Sequence, residues 1–247
     1  MISQKRIEDA SLRAWPAFEQ TNYHGWILRF SKGYTKRANS VNPLRSSGLN
    51  SVEKITYCEK CFTEKGLPVV FRLTPFSSPD DLDDLLDARD YQLIDPTLVM
   101  TLDLQGTDFP PSDSTSFQDR DLDSWLADFC RLSGYDLAEH QIHRQILSLI
   151  PAKASFNVLY QNQRLVSCGL GVLDGDYFGL FDLVTRSQYR SRGFGKRLIN
   201  GMLHNARAAG ARFAYLQVTE VNQPALHLYR KLGFKVSYTY WYRVLDS

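Results

Sequence analysis

No apolar run in this chain approaches the roughly 20 residues that a bilayer-spanning helix needs. The opening Met-Ile-Ser-Gln-Lys-Arg leads into a polar amphipathic stretch without an apolar signal core. Both absences point to a soluble protein of the cytoplasm. Cysteine is scarce, four in 247 residues. Cys130 and Cys168 stand alone in apolar surroundings, and Cys58 and Cys61 form a lone pair with no second pair to complete a zinc site, so no metal is expected. His140 and His143 share a helical face but lack a third ligand, and a solvated face accounts for them. A surplus of one charge is missing too. The net charge of +2 argues against a general nucleic-acid binder, and a local basic patch, Arg190 to Arg197, is compatible with a small phosphorylated ligand. What remains is ordinary globular composition, 43% apolar and 23% charged, in a chain long enough for two lobes.

Periodicity predicts a helix over 3–20 that Pro16 kinks or ends, and a hairpin whose strands are 26–30 and 37–41. Asn50-Ser51 caps a helix that Gly66-Leu-Pro68 stops, and Val69 to Leu73 is a strand. A short helix from Pro79 has Asp80, Asp81, Asp83 and Asp84 in its first turns, and a strand over 97–104 closes the first lobe. Residues 106–116, with Pro110-Pro111 and no apolar period, read as a linker. Two helices follow (about 119–132 and 136–149), then strands 155–160 and 165–172 around a turn at Asn162, and strand 177–185.

That last strand feeds Arg190-Ser-Arg-Gly-Phe-Gly195, beyond which Phe194, Leu198, Ile199, Met202, Leu203, Ala206 and Ala209 fall on one helical stripe ended by Gly210. A helix N-terminus leaves its first N–H groups unpartnered and carries partial positive charge. Gly193 and Gly195 let the backbone approach a ligand, and Arg190 and Arg192 add charged donors, so phosphate can be held here. A mere tight turn also fits the loop taken alone. A Walker loop is excluded because Arg197 stands where the hydroxyl residue belongs, and Leu198 is too bulky for the third glycine of a dinucleotide fingerprint. Phe213 to Val218 is a nearly continuous apolar run, so 177–218 reads as strand, crossover helix, parallel strand. A helix over 224–232, capped by Asn222 and stopped by Gly233, precedes a final aromatic strand, 235–245.

Gln188-Tyr-Arg-Ser-Arg-Gly-Phe-Gly195 and Asn222-Gln-Pro-Ala-Leu-His-Leu-Tyr-Arg-Lys-Leu-Gly-Phe234 together resemble the GNAT superfamily of acyl-CoA-dependent N-acyltransferases over about residues 155–245. The resemblance implies an α/β (α+β) fold with a mixed, partly parallel twisted sheet flanked by helices. It also implies acetyl-CoA as co-substrate and an amine acceptor of unknown identity; charge and apolar pattern lead to the expectation of no nucleic-acid or membrane partner, and a monomer or homodimer is expected. The turn, Arg190, Ser191, Arg192, Gly193, Phe194, Gly195 and Lys196, would grip the pyrophosphate. Leu183, Val184 and Thr185 would pair with the pantetheine arm like an added strand, with Asn222 close by.

Acylating an amine requires a base, an oxyanion donor and an acid for the departing thiolate. The resemblance puts Tyr229 in the place of the general acid, with Asn222 at the start of its helix; a core aromatic is the plainer account of Tyr229 alone. Asp182 is a candidate base because a charge between Phe181 and Leu183 in a central strand is costly unless paired or functional, and an internal hydrogen-bonding role has equal weight. Glu220, at the end of the next strand, is the alternate base. Tyr240 and Tyr242 either line the acceptor pocket or pack as an aromatic face. Asp119, Asp121, Asp123 and Asp128 either draw a cationic amine or are a solvated helix start.

The lobes also look repeated. Arg45 and Arg190, Gly48 and Gly193, and Pro79 and Pro224 each stand 145 residues apart. Ser47 falls opposite Arg192, Asn50 opposite Gly195, and no tyrosine falls opposite Tyr229. The division expected is therefore a degenerate GNAT-like lobe over 1–105, a linker over 106–116 and a catalytic GNAT domain over 117–247. The function expected is acetyl transfer to a primary amine by direct attack, the alternative being an acyl-CoA-binding sensor or interaction module without turnover.

Overall fold

The computed structural model describes residues 2–45, 48–107, 109–110 and 116–245; Ser47 and most of the 106–116 linker lie outside that set. The chain forms α1 (Gln4–Ala14), β1 (Glu19–Tyr23), β2 (Trp26–Phe30), β3 (Val41–Pro43), α2 (Ser51–Glu64), β4 (Val69–Leu73), α3 (Leu82–Asp87) and β5 (Gln92–Asp103). It continues through β6 (Phe117–Arg120), α4 (Leu122–Ser133), α5 (Gln141–Ser148), β7 (Lys153–Gln161), β8 (Arg164–Asp174) and β9 (Tyr177–Thr185). Last come α6 (Phe194–Ala208), β10 (Phe213–Thr219), α7 (Gln223–Lys231) and β11 (Lys235–Leu245). The result is a mixed, partly parallel arrangement of strands flanked by helices, as expected. Among the described residues no helix is long and apolar enough to cross a membrane.

Two compact units emerge, one of residues 1–14, 99–218 and 222–237, the other of 15–98, 219–221 and 238–247. This differs from the expected cut at 106–116. Helix α1, with Ile7, Ala10 and Ala14 buried, packs on β8 and β9 and so belongs with the later residues. The cut also falls inside two strands. β5 starts in the second unit and from Val99 lies in the first, whereas β11 starts in the first and from Tyr238 lies in the second. A hydrophobic stretch chooses its neighbour by burial and edge pairing, which order along the chain does not dictate.

In the second unit β1 and β2 form an antiparallel hairpin around His24 and Gly25, both at positive φ, and β2 pairs antiparallel with β3. β3 and β4 are parallel, joined through α2, whose cap is Asn50 accepting from the Val52 N–H. All five residues of β4 are buried, and β11 pairs with it antiparallel from Trp241↔Leu73 to Leu245↔Val69. Trp26, Ile55, Phe62, Phe71 and Leu86 centre this core. The expected strand over 37–41 is a 3-10 turn at Lys36–Ala38 followed by the short β3.

The first unit has the strand order β5-β10-β9-β8-β7-β6, with β9 and β10 parallel and β6 to β9 antiparallel. The crossover from β9 through α6 to β10 is the unit expected from the apolar pattern. Of the expected linker, Phe109 is buried, its carbonyl accepting from His204 Nδ1 on α6, so this part of the segment is packed down.

Candidate functional site

Strand β9 changes character halfway. Its first five residues are buried and Asp182 to Thr185 are half-buried. Its parallel pairing with β10 runs from Tyr177↔Phe213 to Leu180↔Leu216 and no further among the described residues. On the other side β9 keeps its partner but with a register shift: Leu170 faces Phe181 and Cys168 faces Val184, so Asp182 and Leu183 together oppose Gly169. This is a β-bulge, and Asp182 takes it up at φ 46, in the left-handed region that aspartate tolerates better than most residues. The bulge follows the last β9–β10 pair, and Leu183 to Thr185 beyond it are half-buried. A Cβ on Gly169 would sit 2.6 Å from Leu183 Cδ2 and 3.2 Å from Met202 Sδ, so Leu183 lies where a side chain would otherwise be.

The end of β9 is tied down. Ser167 Oγ donates to the Val184 carbonyl (2.6 Å) and lies 3.0 Å from Thr185 Oγ1, and Arg190 Nε donates to the Thr185 carbonyl (3.2 Å). The turn then uses two left-handed residues, Ser191 (φ 60) and Gly193 (φ 83), to enter α6. The first backbone N–H groups of α6 have no partner within the helix and face out from an exposed turn with Arg190, Arg192 and Lys196. A Cβ on Gly195 would meet Leu228 Cδ2 at 3.3 Å and Thr185 Oγ1 at 3.5 Å. The end of β9, the start of α6 and the body of α7 thus converge at one glycine. The turn suits an anionic, phosphate-bearing ligand, and Leu183 to Thr185, beyond the last β10 pair among the described residues, suit an extended arm.

Tyr229 lies one residue beyond Leu228, buried, its ring edge-on to Phe234 at 6.2 Å. Burial pushes its phenol up to about 12, and no hydrogen bond to its hydroxyl is found among the described residues. It remains a protonated acid throughout the neutral range. Asn222 caps α7, its Oδ1 accepting from the Ala225 N–H at 3.3 Å. Asp182 is not solitary: its Oδ2 lies 3.0 Å from Nε2 of His143, which is buried and not the solvated residue expected. Glu220 is exposed, lies in the 219–221 segment of the second unit, and has its N–H on the Pro96 carbonyl; it is not among the residues gathered around Gly195.

The other candidates resolve toward structure. Tyr240 and Tyr242 are buried in the second unit, edge-on at 5.6 Å, with the Arg72 guanidinium 3.8 Å from the Tyr240 ring centroid. Asp119 accepts from the Phe156 N–H and Asp121 caps α4; Asp123 pairs with Arg144 and Asp128 with Arg131. No group of three or more His, Cys, Asp or Glu suited to a metal occurs among the described residues, and all four cysteines are free. Sequence reasoning missed the bulge, Ser167 and the His143 contact. The signal for the bulge was present, since a glycine inside a strand pattern, here Gly169, marks one.

The family model described as "Probable histone acetyltransferase Rv0428c C-terminal" matches residues 3–243, almost the whole chain. The chain belongs to the GNAT superfamily of N-acetyltransferases. Its relatives include the uncharacterized N-acetyltransferase YobR of Bacillus subtilis (strain 168), 30% identical over 245 residues, which cover 97% of this chain and 98% of that one. Among solved structures, a GCN5-related N-acetyltransferase from Kribbella flavida superposes with a TM-score of 0.70 at 15% identity, covering 98% of this chain and 95% of its own. A tandem GNAT protein from the clavulanic acid biosynthesis pathway gives 0.64 at 12% identity, covering 84% and 76%. At those identities the structures speak for the GNAT fold alone, and the family model and YobR carry the assignment as an N-acetyltransferase. Acetyl-CoA is the co-substrate that the superfamily implies.

Proposed function

We propose that the first unit binds acetyl-CoA and passes its acetyl group to a primary amine by direct attack, with Tyr229 as general acid. The observation that carries this reading is the convergence at Gly195. The turn that suits a pyrophosphate, the freed strand edge that suits a pantetheine arm and the helix that bears Tyr229 meet there. In this reading the amides of Gly193 to Lys196, with Arg190 and Arg192, hold the pyrophosphate, and Leu183 to Thr185 pair with the arm as an added strand. The amine nitrogen forms a bond to the thioester carbonyl carbon, losing a proton to Asp182 directly or through water. The carbon–sulfur bond then breaks, and Tyr229 gives its proton to the departing thiolate. Asp182 is preferred to Glu220 because it stands on the strand that would carry the arm.

The second unit repeats the parallel strand-helix-strand pattern through β3, α2 and β4, and Asn50 where the first unit has Gly195 makes it a noncatalytic copy in this reading. Calorimetry with acetyl-CoA tests the assignment. One site per chain is expected, lost in Gly195→Trp, because Leu228 and Thr185 block the inward path and force the indole into the phosphate approach. Two equivalent sites, or unchanged affinity in G195W, would refute it. Thiol release across a panel of primary amines then tests turnover.

A further inference from the structure

Among the described residues His143 is the only buried histidine. Its ring sits edge-on to Phe129 (5.3 Å) and Trp125 (6.4 Å) of α4, which confine it, and Trp125 is itself anchored by Nε1 on the Asn157 carbonyl. At 2% side-chain exposure His143 is out of reach of any substrate, whereas Asp182 at 19% is not. An ionised carboxylate only accepts hydrogen bonds, so in this pair Nε2 carries the proton and donates it to Oδ2.

We propose that His143 is a positioning residue for Asp182, a role that rests on Asp182 acting as the base. Asp182 stands in the bulge beyond the last β9–β10 pair among the described residues, so its backbone lacks a β10 partner there, and its side chain has two torsions to settle. A ring set edge-on against the stacked Trp125 and Phe129 and fixed to Oδ2 leaves Oδ1 as the oxygen turned to the amine or its water. The order is the reverse of a hydrolase triad, in which a buried carboxylate orients the histidine that works. Here the histidine is behind and the carboxylate in front.

The test uses the full chain, acetyl-CoA and the fastest amine of a primary-amine panel, with thiol release as the readout. His143→Leu removes the donor and is expected to lower kcat on the order of 10- to 100-fold, the usual effect of a misaimed catalytic group, with the KM for acetyl-CoA changed less than about twofold. His143→Gln keeps one N–H donor and is expected to recover most of the rate. In the double variant D182N/H143L, kcat should be no lower than in D182N alone, because His143 acts through Asp182. A folded H143L at the parent kcat, an H143Q as slow as H143L, or multiplying losses in the double variant would overturn the positioning role while leaving Asp182 as base. D182N at the parent kcat would instead refute the base itself. Should H143L fail to fold, nitrogen NMR of labelled histidine decides: the parent should show the Nε2–H form at His143, displaced in D182N, and a signal indifferent to D182N overturns the inference.

Discussion

Replacing Tyr229 by phenylalanine removes one oxygen from a buried ring that packs on Phe234. Since no hydrogen bond to that oxygen is found among the described residues, the fold loses no partner. Stability should change by less than about 0.5 kcal/mol, a shift in Tm of about 1–2 °C for a chain of this size. Chemistry should respond quite differently. A positioned general acid contributes on the order of 10²- to 10⁴-fold, or about 2.7–5.4 kcal/mol of barrier, and kcat should fall by that factor while acetyl-CoA affinity changes less than about threefold. The phenol also leaves a signature in alkali. Its folded pKa is raised by burial to about 12, so it stabilises the folded state below the ordinary value near 10 and that contribution is lost as pH rises from about 10 through 12. Two units correspond to at most about 2.7 kcal/mol. Urea unfolding of parent and Y229F should therefore nearly coincide at pH 8 and separate at pH 11, where the parent alone loses about 1.4 kcal/mol, and amine acetylation should show no basic limb from Tyr229 below about pH 10. Acetylation at the parent rate by Y229F would refute the acid role. A stability loss beyond about 1.5 kcal/mol would refute the premise that the hydroxyl has no structural partner.

Gly169→Ala pushes a methyl to within 2.6 Å of Leu183 Cδ2, and overpacking of this kind costs about 1–3 kcal/mol. If about 1 kcal/mol of it moves the strand edge, acetyl-CoA affinity falls about fivefold by calorimetry; parent affinity would mean that Leu183 simply rotates away. Arg243→Met removes donors to Asp83 (2.7 Å), Asp87 and the Tyr91 carbonyl (2.9 Å), and should cost about 2–3 kcal/mol, roughly 4–12 °C in Tm. Burial raises the Asp83 carboxyl, but its hydrogen bonds from Arg243 and Trp241 outweigh this and hold it below the usual carboxylate range. It therefore contributes stability above about pH 4 that is lost as pH falls through its lower folded value, an acid-side loss that should be smaller in R243M.

Much of the site was legible because its signals are local. Gly193 and Gly195 announce the turn, Phe213 to Val218 the buried parallel strand, and Asn222 with Gly233 the bounds of α7. β1 and β6 were hidden: Glu19 to Tyr23 and Phe117 to Arg120 are mostly polar, and an edge strand needs no buried face. Gly169 signals a bulge but lies on β8, whereas Phe-Asp-Leu on β9 reads as continuous strand, so only the pairing shows that β9 carries the extra residue. His143 depended on two rings that α4 supplies from fourteen and eighteen residues earlier, a juxtaposition of helices that no periodicity within α5 encodes. The ownership of β5 and β11 was likewise a matter of partners distant in sequence.

That exchange of strand ends orders events during synthesis. Residues 15–98 supply nearly all of the second unit, yet the strand that pairs with β4 is completed only when residues 238–245 are made. At roughly 5–20 residues per second the ribosome needs about ten to thirty seconds to cover the interval. Throughout that time β4, an all-apolar partner apart from Arg72, waits without β11 beside it. Sheet edges left open in this way are where nascent chains stick to one another, so the growing polypeptide should depend on chaperones most between the release of β4 and the arrival of β11.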